Sequence, residues 1–565
     1  MNGKVLSLNV GQPRLVTYRG MSFKTGIFKD ATDTPLTLKK LNFAGDGQAD
    51  LSAHGGVDKA VYCYPIEHYA FWENEIGRAG LPMGQFGENV TTEGLLESEL
   101  RIGDFLRVGT AVLQVSEPRV PCYKLVMRMA AGGDFAVRFL AANRTGFYCR
   151  VIEEGVIGAS DTITLLSSDH SSPMVSEVFA ATQFADRDPV ELRRVLKARD
   201  ISVKWRSRVR RMIDAEVHRR MPAAWTEPVP FAVDDVVRDT PDVRSVWLRP
   251  VDGRPLPDML PGQYLTLVWA DGLTRTYSLS AADSHERYRI TVKQQSNADG
   301  NPGLGSGRIG ALHPGDILGV LPPRGSFHPD VDDDTPLVLA CAGIGATPIM
   351  TMLDRVTRDS GRKVFAAFGM RRPEEHPLAA ELGQLVEQRQ GIEVMLAYTR
   401  HDGTPIAGLP ASKLGRLAAA DLMPHAADPL AEIFLCGPGD FIRQMHDGLV
   451  AAGVDSPRIR YESFGPSTLS PVRSNFDVDP AARFNVSFAR SQIEAVWTPS
   501  SGTLLNLAEA AGVSPTFGCR SGSCRLCQAV IAEGRVSYVE PVDEPESGYV
   551  LPCCAIPETD CRLEL

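Results

Sequence analysis

Apolar positions along the chain change their period several times, and those changes divide it. Between residues 1 and 166 they come in short runs, at 4–8, 60–64, 105–108, 111–115 and 162–166, separated by turn formers. Runs of that length broken by Gly, Pro, Asn and Asp predict strands of a β-barrel. From residue 167 the spacing turns helical, through 178–181, 190–196 and 203–213, so 167–220 is expected to be a small helical appendage. A Pro-rich stretch, 221–230, reads as a linker. Short strands at 244–248, 264–268 and 288–292 then predict a second, antiparallel barrel over 226–330. Over 331–465, strand-like runs at 336–340, 363–368 and 432–435 alternate with helical stretches, as in a parallel sheet covered by helices. A Pro/Ser-rich linker, 466–480, precedes alternation at Phe484, Val486 and Phe488. A helical stretch with Leu504, Leu505, Leu507 and Ala508 follows, so 481–565 is expected to be a last small domain. The fold class is multi-domain, α+β together with α/β.

Length agrees, since 565 residues at about 100–200 per domain make roughly three to five domains. A formal charge of −10 argues against nucleic acid or an anionic membrane as the main partner. Eleven cysteines are too sparse for a disulfide scaffold, which points to a reducing, cytoplasmic setting. The first residues lack the apolar core of a signal peptide, and no run approaches the roughly 18 apolar residues of a spanning helix. The exception to the acidic balance is 193–220, with eleven Lys/Arg against three acids. That stretch reads as a solvated helical face or as a docking face for an acidic domain. A homodimer is compatible with all of this.

The best-defined chemistry lies at 517–527, FGCRSGSCRLC. Cys519, Cys524 and Cys527 stand in C-x4-C-x2-C spacing and Cys553 follows, the arrangement of a plant-type [2Fe–2S] cluster. Gly518 and Gly522 let such a loop turn tightly. A zinc site would normally pair two ligand hooks, and one is present. Near the other end, Cys122 by itself reads as a small buried hydrophobe or, flanked by Arg119 and Lys124, as a reactive or metal-binding thiolate. His54, Asp58 and Lys59 occupy one short turn and are candidates to hold an anionic group or move protons; Asn89 and Arg119 are weaker candidates. In RTYSLS, 275–280, Arg275 offers a cation for a phosphate, Tyr277 a π face and Ser278 a hydrogen-bonding group for a flavin. Gly303, Gly305 and Gly307 surround Ser306, a loop whose amides suit a phosphate. Gly343, Gly345 and Thr347 lie in a Gly-rich strand-to-helix turn, Arg371 (or Arg372) ends the next strand, and Cys436, Gly437 and Pro438 end a later one. In an open parallel sheet, ligands bind at those carboxyl ends.

Four resemblances add to this. From VLSLNVGQPR at 5–14 to GFYCRVIEEGVI at 146–157, with EPRVPCYKL at 117–125, the first domain resembles the MOSC family of molybdenum-cofactor domains. It is most similar to the bacterial subgroup that reduces N-hydroxylated compounds, whose helical appendage 167–220 also resembles. The resemblance implies that Cys122 ligates molybdenum together with a pterin. RTYSLS, GIGATP, CGPGDF and YESFGP occur in the order of the ferredoxin reductase family, close to the reductase half of flavohemoglobins. This implies that Arg275, Tyr277, Ser278 and Ser306 hold a flavin, that Gly343, Gly345, Thr347, Cys436, Gly437 and Pro438 line the nicotinamide nucleotide site, and that Phe464 lies near the flavin ring. The domain order resembles phthalate dioxygenase reductase, whose flavin is FMN; PPRGSF at 322–327 reads more like members with FAD, so FAD is expected and FMN is the alternative. The last domain resembles a β-grasp ferredoxin, whose L-x-C-x-A-x-P pattern selects Cys553 over Cys554.

The expected function is an NAD(P)H-dependent iron–sulfur flavoprotein oxidoreductase. A flavin converts two-electron into one-electron traffic, so electrons would pass from NADH or NADPH through flavin and [2Fe–2S] to the molybdenum cofactor and reduce a small N-hydroxylated substrate. One alternative is a reductase component serving a separate oxygenase, with the first domain as a binding or docking module. Another makes Cys122 a persulfide-carrying sulfur-transfer residue.

Overall fold

The structure is a computed structural model of residues 1–565. It describes all of them except 1, 19–20, 50–54, 133, 184–186, 221–224, 284, 297–301, 359–360, 465–480, 514, 516–526, 539–544 and 546–547. The chain forms two compact units, Met1–Arg220 and Met221–Leu565.

In the first unit, the strands Thr162–Ser167, Phe105–Val108, Ala111–Pro118, Phe147–Glu153, Val61–Pro65, Val90–Glu93 and Asn2–Val10 follow one another round a sheet. Asn2–Val10 also pairs with Thr162–Ser167, so the sheet closes into a barrel. Neighbours run antiparallel except Val61–Pro65 with Val90–Glu93. A parallel pair needs a crossover, and this one carries the helix Tyr69–Ile76. The appendage consists of Val175–Gln183, Pro189–Leu196 and Val203–Arg220. Its Val178, Leu192, Trp205 and Val209 join barrel residues Val5, Leu106, Leu113 and Phe147 in one core. Among the described residues, the helices share the barrel's core and form no separate one. A second, aromatic core of Trp72, Tyr64, Phe86, Phe135 and Phe139 lies under the helices Tyr123–Met129 and Phe135–Ala142. Trp72 Nε1 donates to Tyr64 Oη at 2.7 Å, which satisfies a polar atom that burial would otherwise penalise.

The second unit begins with a closed six-stranded antiparallel barrel between Val229–Thr240 and Ile317–Arg324. A six-stranded parallel sheet follows, in the order Ser412–Leu414, Ile392–Tyr398, Val364–Met370, Leu337–Ala342, Glu432–Gly437, Ile459–Ser463. Residues alternate across its faces: Leu337, Leu339 and Cys341 pack on one side, Val338 and Ala340 on the other. Barrel and sheet are joined by Arg289, whose Nη1 and Nη2 reach Glu381 at 2.6 and 2.8 Å, and by Arg460, which donates to Ser326 O and His328 O. The C-terminal sheet has the order Ile493–Trp497, Phe484–Phe488, Cys561–Leu563, Ala529–Glu533, Tyr549–Val550. The helix Leu504–Ala510 packs its Leu504, Leu507 and Ala508 against that sheet, the β-grasp arrangement. Among the described residues no helix is long and apolar enough to cross a membrane.

Candidate functional site

The candidate nucleotide turn is a backbone construction. Leu337–Ala342 and Glu432–Gly437 are parallel neighbours, and the chain leaves them toward opposite parts of the sheet order. Gly343 has φ +57° and nothing near its missing Cβ, so conformation alone favours glycine there. A Cβ on Gly345 would lie 2.3 Å from Cys436 O and 2.8 Å from Gly437 N, so the two turns meet backbone to backbone. Thr347 Oγ1 donates to Ile344 O at 3.0 Å and pins the turn to the helix Ala346–Thr357. Pro438 precedes the helix Gly439–Ala451. Cys436 is buried beside Cys341, and burial pushes its thiol well up, so it is a neutral group there. Arg371, at the end of Val364–Met370, donates from Nε to Glu375 Oε2 at 2.7 Å and is exposed.

The candidate flavin residues Arg275, Tyr277 and Ser278 sit on the barrel strand Thr274–Asp283. Burial raises the Tyr277 phenol to about 12. Ser278 is buried and pairs with Tyr264 in the adjacent strand. A Cβ on Gly305 would stand 2.8 Å from Tyr277 Oη and 2.9 Å from Arg275 Cγ, so the short helix Leu304–Gly310 lies directly against both side chains. Gly303 N donates to Gln295 O at 2.7 Å, and Ser306 Oγ accepts from Gln295 N at 3.1 Å. Gly307 N is likewise bonded, to Gly303 O. The amides a phosphate would meet are therefore those of the first helical turn, 304–306, which lack intrahelical partners. Phe464 packs half-buried against the core of the parallel sheet.

Cys519 and Cys524 lie outside the described residues. Cys527 and Cys553 are buried together in a small apolar group with Leu505, Leu551 and Cys554. Two soft sulfurs in one dry pocket fit an iron–sulfur cluster, which thiolates hold.

In the first unit Cys122 lines a cavity of about 90 Å³ with Lys29, Lys59, Asn89, Arg119 and Lys124. Four cationic side chains around one thiol suit an anionic, sulfur-rich metal group. Cys122 directly precedes the helix Tyr123–Met129, with extended backbone. Arg119 is buried, donates from Nη1 to Phe86 O at 2.8 Å and to Tyr62 Oη at 3.3 Å, and lies 4.8 Å over the Tyr62 ring. Burial opposes its charge, yet Tyr62, Tyr148 and Cys122 together outweigh that and raise its pKa. Lys59 Nζ pairs with Glu117 Oε1 at 3.2 Å and faces the Tyr148 ring at 5.6 Å. Burial lowers Lys29, which Asp46 opposes as its ion-pair partner. Asn89 accepts from Tyr62 N at 3.1 Å and donates to Asp46 Oδ2 at 2.9 Å, tying the strand to the loop.

Asp58 and Lys59 are sequence neighbours that part company. The Asp58 carboxylate accepts from Arg150 Nε at 2.9 Å and does not line the cavity. His54 lies outside the described residues. Lys29, Asp46, Tyr62 and Tyr148 line the cavity without having stood out in the sequence. Glu88 adds a hidden support: its carboxylate accepts from Gly84 N at 2.8 Å, Phe86 N at 3.0 Å, Thr91 Oγ1 at 3.0 Å and Tyr69 Oη. It thereby holds the loop that presents Phe86 O to Arg119. FGEN in the sequence was the available signal.

A flavin-sized barrel, a nucleotide-type parallel sheet and a buried cysteine pair define a modular iron–sulfur flavoprotein oxidoreductase, preceded here by a thiol-bearing barrel. Residues 50–164 match the MOSC domain family, 339–447 the oxidoreductase NAD-binding domain, and 489–558 the 2Fe-2S iron-sulfur cluster binding domain. The chain thus carries, in order, a MOSC domain, an FAD/NAD-binding oxidoreductase module and a 2Fe–2S domain in one polypeptide. It is 40% identical over 203 residues to the uncharacterized protein YflK of Bacillus subtilis, covering 36% of this chain and 91% of that one. It is 34% identical over 251 residues to a flavohemoprotein of Chromobacterium violaceum, 43% of this chain and 61% of that one. It is 30% identical over 349 residues to the ferredoxin reductase component of 3-ketosteroid-9-alpha-monooxygenase from Rhodococcus rhodochrous, 58% of this chain and 94% of that one. The chain thus spans about three fifths of the flavohemoprotein's length.

Proposed function

We propose that this protein is a cytoplasmic, self-contained NAD(P)H-dependent reductase that delivers electrons to a molybdenum cofactor at Cys122 and reduces N-hydroxylated compounds. The observation that carries the reading is the cavity in which Cys122 stands among Lys29, Lys59, Arg119 and Lys124. A molybdenum cofactor bound there would supply two-electron reduction with loss of an N-bound hydroxyl as water. The chain's own residues do the rest. Arg119 and Lys124 hold an anionic group beside the thiol, and Lys59, paired with Glu117, holds a proton at Nζ within the cavity. In the second unit, Tyr277, Ser278 and the 304–306 amides orient FAD, and the Gly343–Gly345 turn against Cys436 receives the nicotinamide nucleotide.

Cys122→Ala is expected to abolish NADH-driven reduction of a hydroxylamine while leaving NADH-to-ferricyanide activity intact; retained hydroxylamine reduction would sink the assignment. A second reading, favoured by the likeness to the ferredoxin reductase component of 3-ketosteroid-9-alpha-monooxygenase, is a reductase that serves a separate oxygenase. Metal analysis separates the two, since molybdenum-free protein from a cofactor-competent host supports the second.

A further inference from the structure

Adjacent residues of an extended chain put their side chains on opposite faces. Cys553 and Cys554 do not. The chain turns through residues 551–554, where Cys554 N donates to Leu551 O at 3.0 Å. The two sulfurs come to 3.4 Å of one another. Both are buried, 6% and 3% exposed, in the same apolar group as Cys527, Leu505 and Leu551. The iron–sulfur spacing uses Cys553 and leaves Cys554 without a role.

We infer that Cys554 is a positioning residue for the iron–sulfur site: its S–H donates to the Cys553 sulfur and raises the potential at which the cluster takes up its one electron. A thiol is a weak donor, but a ligand sulfur that carries negative charge is a strong acceptor, and charge-assisted bonds are the stronger kind. Reduction adds one negative charge, shared onto the ligand sulfurs, so a donor at Cys553 favours the reduced form. Hydrogen bonds to sulfur and solvent exposure are the two protein-controlled quantities that set such potentials. Here the Leu505–Leu551 surroundings keep water away, so one S–H weighs more than it would at a surface. No bond forms or breaks at Cys554, and its proton stays on its own sulfur. The alternative geometry, in which Cys554 itself ligates iron and Cys553 is the neighbour, predicts a different outcome below.

The test uses the full-length chain with its cluster, measuring iron and sulfide content and the midpoint potential by EPR-monitored redox titration. Cys554→Ala is expected to keep the full iron and sulfide content with a potential shifted negative. Cys554→Ser, whose hydroxyl also donates, is expected to recover at least half of that shift. An unchanged potential in Cys554→Ala would overturn the inference. So would the same shift in both variants, which marks packing and not hydrogen bonding, or loss of iron from folded Cys554→Ala, which makes Cys554 a ligand. None of these outcomes bears on Cys122.

Discussion

Arg119 keeps its charge while buried because the tertiary structure surrounds it with acceptors and π density. It donates to Phe86 O and Tyr62 Oη and lies over the Tyr62 ring, the kind of site that suits the weakly hydrated guanidinium better than a lysine ammonium. His376 is the opposite case. Its Nδ1 lies 2.8 Å from Tyr398 Oη, its ring packs near Phe368, and burial pushes it down to about 4. Unfolded, it returns to about 6.5, so the unfolded chain binds the proton more readily at intermediate pH. The neutral ring therefore contributes stability that is complete above about pH 6.5 and is lost as pH falls toward 4, by at most about 3 kcal/mol. Replacing His376 with Gln should flatten that limb of the stability-versus-pH curve in urea melts. An unchanged slope would mean that another group titrates there.

Between elements, the critical contacts are made where glycine lets a backbone approach closely. Gly345 meets Cys436 O where two parallel strands end, and Gly305 lets a short helix lie on Tyr277 and Arg275. No hydrophobic pattern reports such contacts, since glycine contributes none. Gly345→Ala forces the two turns apart, because backbone atoms cannot yield as a flexible side chain can. Misplacement of that order costs on the order of 100-fold in rate. NADH-dependent ferricyanide reduction should fall accordingly, with the flavin still bound by its absorbance. Wild-type turnover in the alanine variant would show that the turn does not carry the nucleotide. Strand periods, in contrast, were legible: the runs at 105–108 and 264–268 became the strands Phe105–Val108, which buries alternate residues, and Tyr264–Val268, which buries nearly all of its residues in a closed barrel. The helices after 167 were equally legible by spacing, but not their sharing of the barrel's core, which depends on long-range packing of Trp205 and Val209.

At the scale of the whole molecule, the division into Met1–Arg220 and Met221–Leu565 separates the MOSC domain from the NAD-binding domain into different compact units. Residues 221–565 produced alone should therefore retain NADH-to-ferricyanide activity and lack hydroxylamine reduction, and adding residues 1–220 in excess should restore part of it. Hydroxylamine reduction by 221–565 alone would place that chemistry in the wrong half. Restoration that weakens with added salt would make the basic stretch 193–220 a docking face, since exposed charges are screened over about 10 Å at moderate ionic strength.

The iron–sulfur domain and the order of domains could be read from the chain because their signals are local: a cysteine spacing, a Gly-rich turn and an apolar period are each written within a few dozen consecutive residues. The Cys122 cavity could not. Lys29, Asp46, Tyr62 and Tyr148 come from distant stretches of the chain and meet only when the barrel closes. Adjacent residues gave no guide to function there, since Lys59 enters the cavity while Asp58 turns to Arg150. The sequence by itself determined which domain families the chain carries and in which order. Tertiary structure decided which side chains surround it, because burial and charge pairing are properties of space and not of position along the chain.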